Sequence, residues 1–162
     1  MNIMMKIQIY NSPEEVGARI LFILDICNKR MSKQRLMYYD YFSLHINDLD
    51  QKQISLHPDN PNHSSEIAIR RDLISNGLDL MIAKGLVSVK YSKTGIYYCV
   101  NQLTHPFLQL FENQYVDDLK RNIASVDNVF YSYTDKQIYK HINNNIGRWI
   151  GEFENDAVIG GE

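Results

Sequence analysis

The sequence predicts a mainly α-helical domain carrying one small β-hairpin. Three observations predict it: three stretches of helical apolar spacing before Gly85, two β-branched and aromatic runs around a Lys-Thr-Gly turn, and further helical stretches after Thr104. The chain has 162 residues, 44% hydrophobic and 22% charged, enough apolar material for one core but not for a separate cofactor module. Lys and Arg number 17 against 19 Asp and Glu, a formal charge of -2, so no global field draws the chain onto a polyanion. DNA contact would have to be local or reached through a partner.

Taken in order, Met4 to Tyr10 alternates weakly and reads as a short strand. Ser12, Pro13, Glu14 and Glu15 then form a helix start: a capping hydroxyl, a proline in the first turn and acids at the positive end of the dipole. Val16, Ile20, Ile23, Leu24 and Cys27 carry that helix to about Lys29. Ser32 caps a second helix, Lys33 to Ile46, whose Tyr-rich centre is apolar on more than one side. Asn47 to Ser65 is rich in Asp, Asn, Ser and His and holds Pro58 and Pro61, so an ordered or semi-ordered loop is expected. Ser64 or Ser65 caps a third helix running to Lys84, with Ile67, Ile74, Leu78, Met81 and Ile82 on one stripe.

Gly77 inside that helix costs about 1 kcal/mol relative to Ala, which implies close approach of another helix. Gly85 ends it where a left-handed residue is needed. Leu86–Ser92 and Ile96–Asn101 read as strands, and Thr104 to Val126 as one helix with Phe107, Leu110, Phe111, Tyr115, Leu119 and Ile123 on its stripe. Ser132 or Thr134 caps a last helix through Ile138, Ile142, Ile146, Trp149 and Ile150.

Three helices followed at once by a hairpin is the order of a winged helix. The expected organisation is one winged-helix-like domain over residues 1–153, with its core at 12–101, additional C-terminal helices at 104–153 and a flexible acidic tail at 154–162. A DNA-reading unit joins its second and third helices by about 3 to 4 residues, whereas here a long loop intervenes.

The residues of that loop and of the helix after it also carry a likeness. Ser-Leu-His-Pro-Asp-Asn-Pro at 55–61, Glu-Ile-Ala-Ile-Arg-Arg-Asp-Leu-Ile at 66–74, Gly-Leu-Asp-Leu-Met at 77–81 and Gly-Leu-Val at 85–87 resemble the second class of middle component of bacterial ABC-three-component (ABC-3C) systems. The opening YNSPEEVGARILFILD, Pro106 to Leu108, Tyr115, Leu119 and Arg121 share the likeness, which overlaps with Lamassu-type antiphage defence. The resemblance implies a non-catalytic adaptor that accompanies an SMC-like ATPase in the place of a kleisin and links it to an effector such as a nuclease. DNA would be met mainly through the complex.

The chemistry-bearing residues agree with a protein without its own reaction. Gly17, Gly77, Gly85 and Gly95 stand singly, so no phosphate-cradling loop is expected, and no serine sits in a nucleophile turn. No cofactor or metal is expected. His57, Asp59 and His63 lie close in the loop with His45 nearby, but the favoured reading is a loop hydrogen-bonded to backbone rather than a metal site. The candidate partner-binding residues are Arg70, Arg71, His57, Asp59, Tyr38, Tyr41, Lys90 and Lys93. Arg70 and Arg71 are adjacent on a helix, about 100° apart, so they cannot both lie in the buried stripe; one is expected to pair with a carboxylate such as Glu66 or with the loop, leaving the other available. Lys90 and Lys93 stand on the hairpin, where a DNA-binding transcriptional regulator would place phosphate contacts, and this is the rival reading.

The Tyr38, Tyr39, Tyr41 cluster cannot bury every ring on one stripe, so some of its rings are expected at an interface, a thick core accounting for the rest. The longest apolar run, Ile20 to Leu24, is far short of the roughly 20 residues of a membrane span. Cys27 and Cys99 make no disulfide framework, and the amino-terminal stretch lacks a secretory pattern, so a cytoplasmic protein with reduced thiols is expected.

Overall fold

A computed structural model describes residues 11–57 and 63–145. The expected strand at Met4–Tyr10, together with Asp59, Ile146, Trp149, Ile150 and the acidic tail, lies outside the described residues. The elements are α1 (Pro13–Cys27), α2 (Lys33–Leu44), a 3-10 turn (Ile46–Asp48), α3 (His63–Ala83), β1 (Ser88–Ser92), β2 (Gly95–Cys99), α4 (Thr104–Leu108), α5 (Gln114–Phe130) and α6 (Asp135–Asn145). The protein is mainly helical with one two-stranded antiparallel hairpin.

The local signals act as their chemistry requires. Ser12 Oγ accepts from the Glu15 amide at 3.2 Å, and α1 ends on Asn28 in the left-handed region at φ 48°. Ser32 Oγ accepts from the Arg35 amide at 3.0 Å. The Leu86 amide bonds back to the Met81 carbonyl at 2.9 Å and the Gly85 amide to that of Ile82, a helix stop that needs the φ of +73° Gly85 supplies. Thr134 and Gln137 cap α6 reciprocally, the Gln137 amide donating to Thr134 Oγ1 and the Thr134 amide to Gln137 Oε1.

Helix α2 lies inside the fold: every residue from Arg35 to Leu44 is buried, because α1 and α3 pack on it at Asp40 and α5 packs on it at Tyr39 and Ser43. A helix buried all round needs no single apolar stripe. The closest approach is between α1 and α3, at two facing glycines. A Cβ on Gly77 would stand 2.9 Å from the Gly17 backbone nitrogen, and one on Gly17 would stand 3.2 Å from the Gly77 carbonyl. The helix-propensity cost of Gly77 is therefore offset by the packing of two backbones.

Three expectations are corrected. Helix α3 begins at His63, ahead of both proposed serine caps. The stretch from Asn47 is not irregular throughout, because the 3-10 turn opens it and Asn47 Nδ2 then holds the Gln51 and Gln53 carbonyls at 3.2 and 3.0 Å. The single helix expected over Thr104–Val126 is two. After Leu108 the chain makes tight turns, with the Leu110 amide on Phe107 and the Phe111 amide on Leu108, and Asn113 restarts the helix by capping the Val116 amide at 2.9 Å. An Asn side chain that can bond the backbone locally competes with helix continuation, and apolar spacing does not register this. Leu110, Phe111 and Tyr115 thereby leave the buried stripe, which consists of Val116, Leu119, Ile123, Val126 and Phe130.

The hairpin pairs Ser88 with Cys99 through to Ser92 with Gly95, so its turn is Lys93-Thr94. Its base is tied down twice. Met31, between α1 and α2, exchanges backbone hydrogen bonds with Tyr98 at 2.9 and 2.8 Å, and Thr104 Oγ1 donates to the Leu86 carbonyl at 2.8 Å.

Candidate partner-binding site

Arg70, on α3, points into the protein. Its Nη1 lies 2.6 Å from Asp40 Oδ2, while Arg19 of α1 holds the other carboxylate oxygen with Nε at 2.7 Å. The three side chains are almost completely buried, so α1, α2 and α3 meet on a triad of two guanidiniums and one carboxylate. Burial alone would raise the Asp40 carboxyl, yet the charges and hydrogen bonds of Arg19 and Arg70 outweigh it and hold the group below the usual carboxylate range. The Arg70 guanidinium also stands 5.4 Å from the centre of the Tyr41 ring. The expected pairing of one arginine is thus met by Asp40, and Arg70 is an internal strut in the isolated chain. Arg71, about 100° further round, is half-buried near the Tyr38 hydroxyl.

The tyrosines are internal as well. Tyr38 is 2% and Tyr41 5% exposed, and their hydroxyls meet Gln34 at 2.7 Å and Asp48 at 2.5 Å. Since α2 has packing partners on several sides, its rings thicken the core and the polar tips find local bonds.

His57 closes the described part of the loop. The Leu56 and His57 amides both donate to the Leu44 carbonyl, at 2.9 and 3.1 Å, and the ring Nε2 lies 3.1 Å from the Tyr115 hydroxyl on α5. Its ring stands edge-on to His45, which stacks on Tyr41 at 4.7 Å. Burial, then the charges of Arg19, His45 and Arg70 against a smaller opposite effect of Asp40, lower its pKa to about 4. The unfolded chain, with an ordinary His value of about 6.5, binds the proton more readily, so stability rises with pH across this interval. We expect thermal stability to fall as pH drops from about 6.5 towards 4, and His57→Gln to flatten that part of the profile. An identical slope in the variant would remove His57 as the cause. Among the described residues no group of three or more His, Cys, Asp or Glu is placed to hold a metal ion.

Lys90 and Lys93 are exposed on the hairpin, as expected. Between them lies a feature the charge pattern did not reveal. Tyr91 pairs directly with Ile96 across the strands, and these two are 80% and 49% exposed. With Val89 and Tyr98 they share one face, buried at the base and open at the tip. On the other face, Arg30 stacks on Tyr97 at 4.5 Å, and the Thr94 and Tyr97 hydroxyls are 2.8 Å apart. The tip therefore offers an exposed apolar pair on one face, with Lys90 beside Tyr97 on the other face and Lys93 in the turn.

Sequence reasoning also missed Arg19 and Asp40. The available signal was one charge of each sign embedded in an otherwise apolar helical run, Arg19 in Gly-Ala-Arg-Ile-Leu-Phe and Asp40 in Met-Tyr-Tyr-Asp-Tyr-Phe.

Comparison with known proteins places one match on this fold. The family model of the ABC-three component (ABC-3C) system Middle Component 2 matches residues 9–152. No curated protein and no solved structure matches the chain.

Proposed function

Because the chain belongs to the Middle Component 2 family of ABC-three component systems, we propose that it is a non-catalytic adaptor that joins an SMC-like ATPase to an effector, such as a nuclease, in antiphage or antiplasmid defence of the Lamassu type. The observation that carries this reading is the hairpin tip, where Tyr91 and Ile96 expose a paired apolar surface on one face of the hairpin. Exposed aromatic and aliphatic side chains are the anchors by which proteins meet proteins. Two of the chain's arginines, Arg19 and Arg70, are meanwhile committed to Asp40 in the interior and add nothing to an external basic field.

Three packed helices leading straight into the hairpin support a winged-helix reading of this unit, as does the Met31–Tyr98 bridge, which adds a third short segment beside β2. In that reading the hairpin is the wing and the subunit takes a kleisin-like place on the ATPase. DNA is then engaged by the assembled complex, in the cytoplasm. No helix among the described residues is long and apolar enough to cross a membrane.

The test is a hairpin variant. Tyr91→Ser with Ile96→Ser should leave the thermal unfolding of the isolated chain within a few degrees of wild type and weaken capture of the other components at least about tenfold, as removal of two interface anchors does. Unchanged capture would take the hairpin off the interface. The exposed Lys90 and Lys93 favour a second reading, a DNA-binding regulator. It predicts duplex binding by the isolated chain that weakens steeply with salt and is lost in Lys90→Glu/Lys93→Glu.

A further inference from the structure

On the side of the molecule formed by α1 and α5, a cleft of about 410 Å³ runs between the two helices. Its walls include Phe22 and Ala18 of α1, Val116 and Leu119 of α5, and Phe111 from the turns before α5. Phe111 meets Phe22 edge-on with ring centres 6.4 Å apart, yet remains 37% exposed, and Tyr115 at the same mouth is 38% exposed. Leu110, next in the chain to Phe111, is 78% exposed. The break between α4 and α5 thus turns residues of an apolar pattern outward along the edge of a concave site, instead of burying them in a continuous helix. A volume in this range takes a few large side chains.

The charges on the cleft are not neutral in arrangement. Glu15 lines one end, and Glu14 and Glu112 are exposed beside lining residues in sequence. None of the three has an ion-pair partner among the described residues. Arg19 also lines the cleft, but its guanidinium is held by Asp40. Partial burial raises the Glu15 pKa against the opposing effect of Arg19, the mark of a carboxylate already partly stripped of water. Lys120, whose ammonium stands 5.6 Å from the centre of the ring of Phe22, adds a positive charge beside that lining residue. Phe22 and Glu15 are two helical turns apart, about 10 Å along α1.

We propose that the α1–α5 cleft is a docking site for a segment of a partner polypeptide that inserts a Phe or Leu anchor between Phe22, Phe111 and Val116 and sets a Lys or Arg against Glu15. The apolar walls supply the affinity. The partly buried Glu15 carboxylate chooses a basic flank over an acidic one, because an acidic flank would set a like charge against it in a partly desolvated site. The inference rests on the adaptor reading and adds a second surface to it, on elements other than the hairpin.

Short labelled peptides tiled over the other components of the system are titrated against the full chain by fluorescence anisotropy, alongside two designed amphipathic peptides with identical Leu and Phe anchors and either Lys or Glu flanks. Two variants report on the cleft: Ala18→Leu, which fills it from a half-buried position on α1, and Glu15→Lys, which reverses its acidic end. Circular dichroism and thermal unfolding establish that both variants fold, and Glu15→Gln serves as the milder change should Glu15→Lys not. The expected result is binding of Lys-flanked but not Glu-flanked anchors, weakened at least about tenfold by both variants. Equal binding by wild type and both folded variants, preference for the Glu-flanked peptide, or no binding by any peptide would overturn the cleft assignment. Failure of the cleft alone shows as undiminished capture of the other components by both variants; failure of the adaptor reading shows as no capture even by wild type.

Discussion

Asp40→Asn should destabilise the fold by about 3–5 kcal/mol, the range found when one partner of a buried ion pair is removed and a charge is left uncompensated. Here two guanidiniums, Arg19 and Arg70, share the one carboxylate at 2.7 and 2.6 Å, which sets the effect towards the upper end of that range. Asparagine keeps the shape of the side chain but leaves two positive charges facing each other at a site almost closed to water. Domains of this kind have a total stability of about 5–15 kcal/mol, so the variant loses a large fraction of it. Urea unfolding provides the measurement, with the midpoint moving and the slope nearly unchanged. Replacing all three residues together, Arg19→Met, Asp40→Leu and Arg70→Met, should recover most of the loss, because an apolar set of similar volume carries no desolvation cost. A shift below about 1 kcal/mol for Asp40→Asn would mean that water reaches the triad.

Arg35→Met is the second large effect, and its site is the junction of α2 with the C-terminal helices. The Arg35 Nη2 donates to the Phe130 carbonyl at 2.6 Å, and Nη1 donates to the Tyr133 carbonyl at 2.7 Å and to Asp135 Oδ1 at 3.1 Å. One guanidinium thus satisfies the last turn of α5, the connection to α6 and the first residue of α6. Asp135 is shared with Ser32, whose hydroxyl donates to it at 2.5 Å, so the cap of α2 and the start of α6 are tied to the same carboxylate. Tyr39 donates to Asp127 at 2.7 Å and Lys29 pairs with the same Asp127 at 3.0 Å, completing the latch. Removing Arg35 takes the guanidinium donor from the Tyr133 carbonyl and one of two donors from the Phe130 carbonyl, which keeps the Tyr133 amide at 2.9 Å, a cost of about 2–4 kcal/mol at a site with charge-assisted bonds. Hydrogen exchange should accelerate first in α6, which would then be held to the core by Ile138, Ile142, Tyr139 and the Ser32–Asp135 hydrogen bond without the guanidinium. Arg35→Lys recovers only part of the loss, because an ammonium cannot reproduce the planar fork. Uniform acceleration across α1 to α3 instead would show that Arg35 belongs to the global core rather than to this junction.

What the sequence made legible was the part decided by local chemistry. Ser12, Ser32, Pro13 and Gly85 act within one helical turn of themselves, and the alternation around Lys93-Thr94 needs only neighbours two residues away. Gly77 was also readable, since a costly residue in a helix interior implies a close neighbour, although not that the neighbour is Gly17. The rest depended on contacts distant along the chain. Arg70 reads as a surface cation until Asp40, 30 residues away, is placed against it. Tyr38 and Tyr41 read as spare rings until α2 is seen to be enclosed on several sides. The break before Asn113 was hidden by apolar spacing that runs straight through it, and the cleft depends on that break. The hairpin lysines drew attention by charge, whereas the exposed Tyr91–Ile96 pair on the same hairpin required the strand register.

The account rests on a subunit that works through its contacts with other proteins, and the mass of the assembled system tests this most directly. The three components are co-expressed, purified through a tag on one of the others and weighed intact by native mass spectrometry. The prediction is a discrete assembly that contains this chain at fixed stoichiometry and loses it when Tyr91 and Ile96 are both replaced by serine. Recovery of the other two components as a complete complex while this chain elutes alone, or binds duplex DNA by itself, would contradict it.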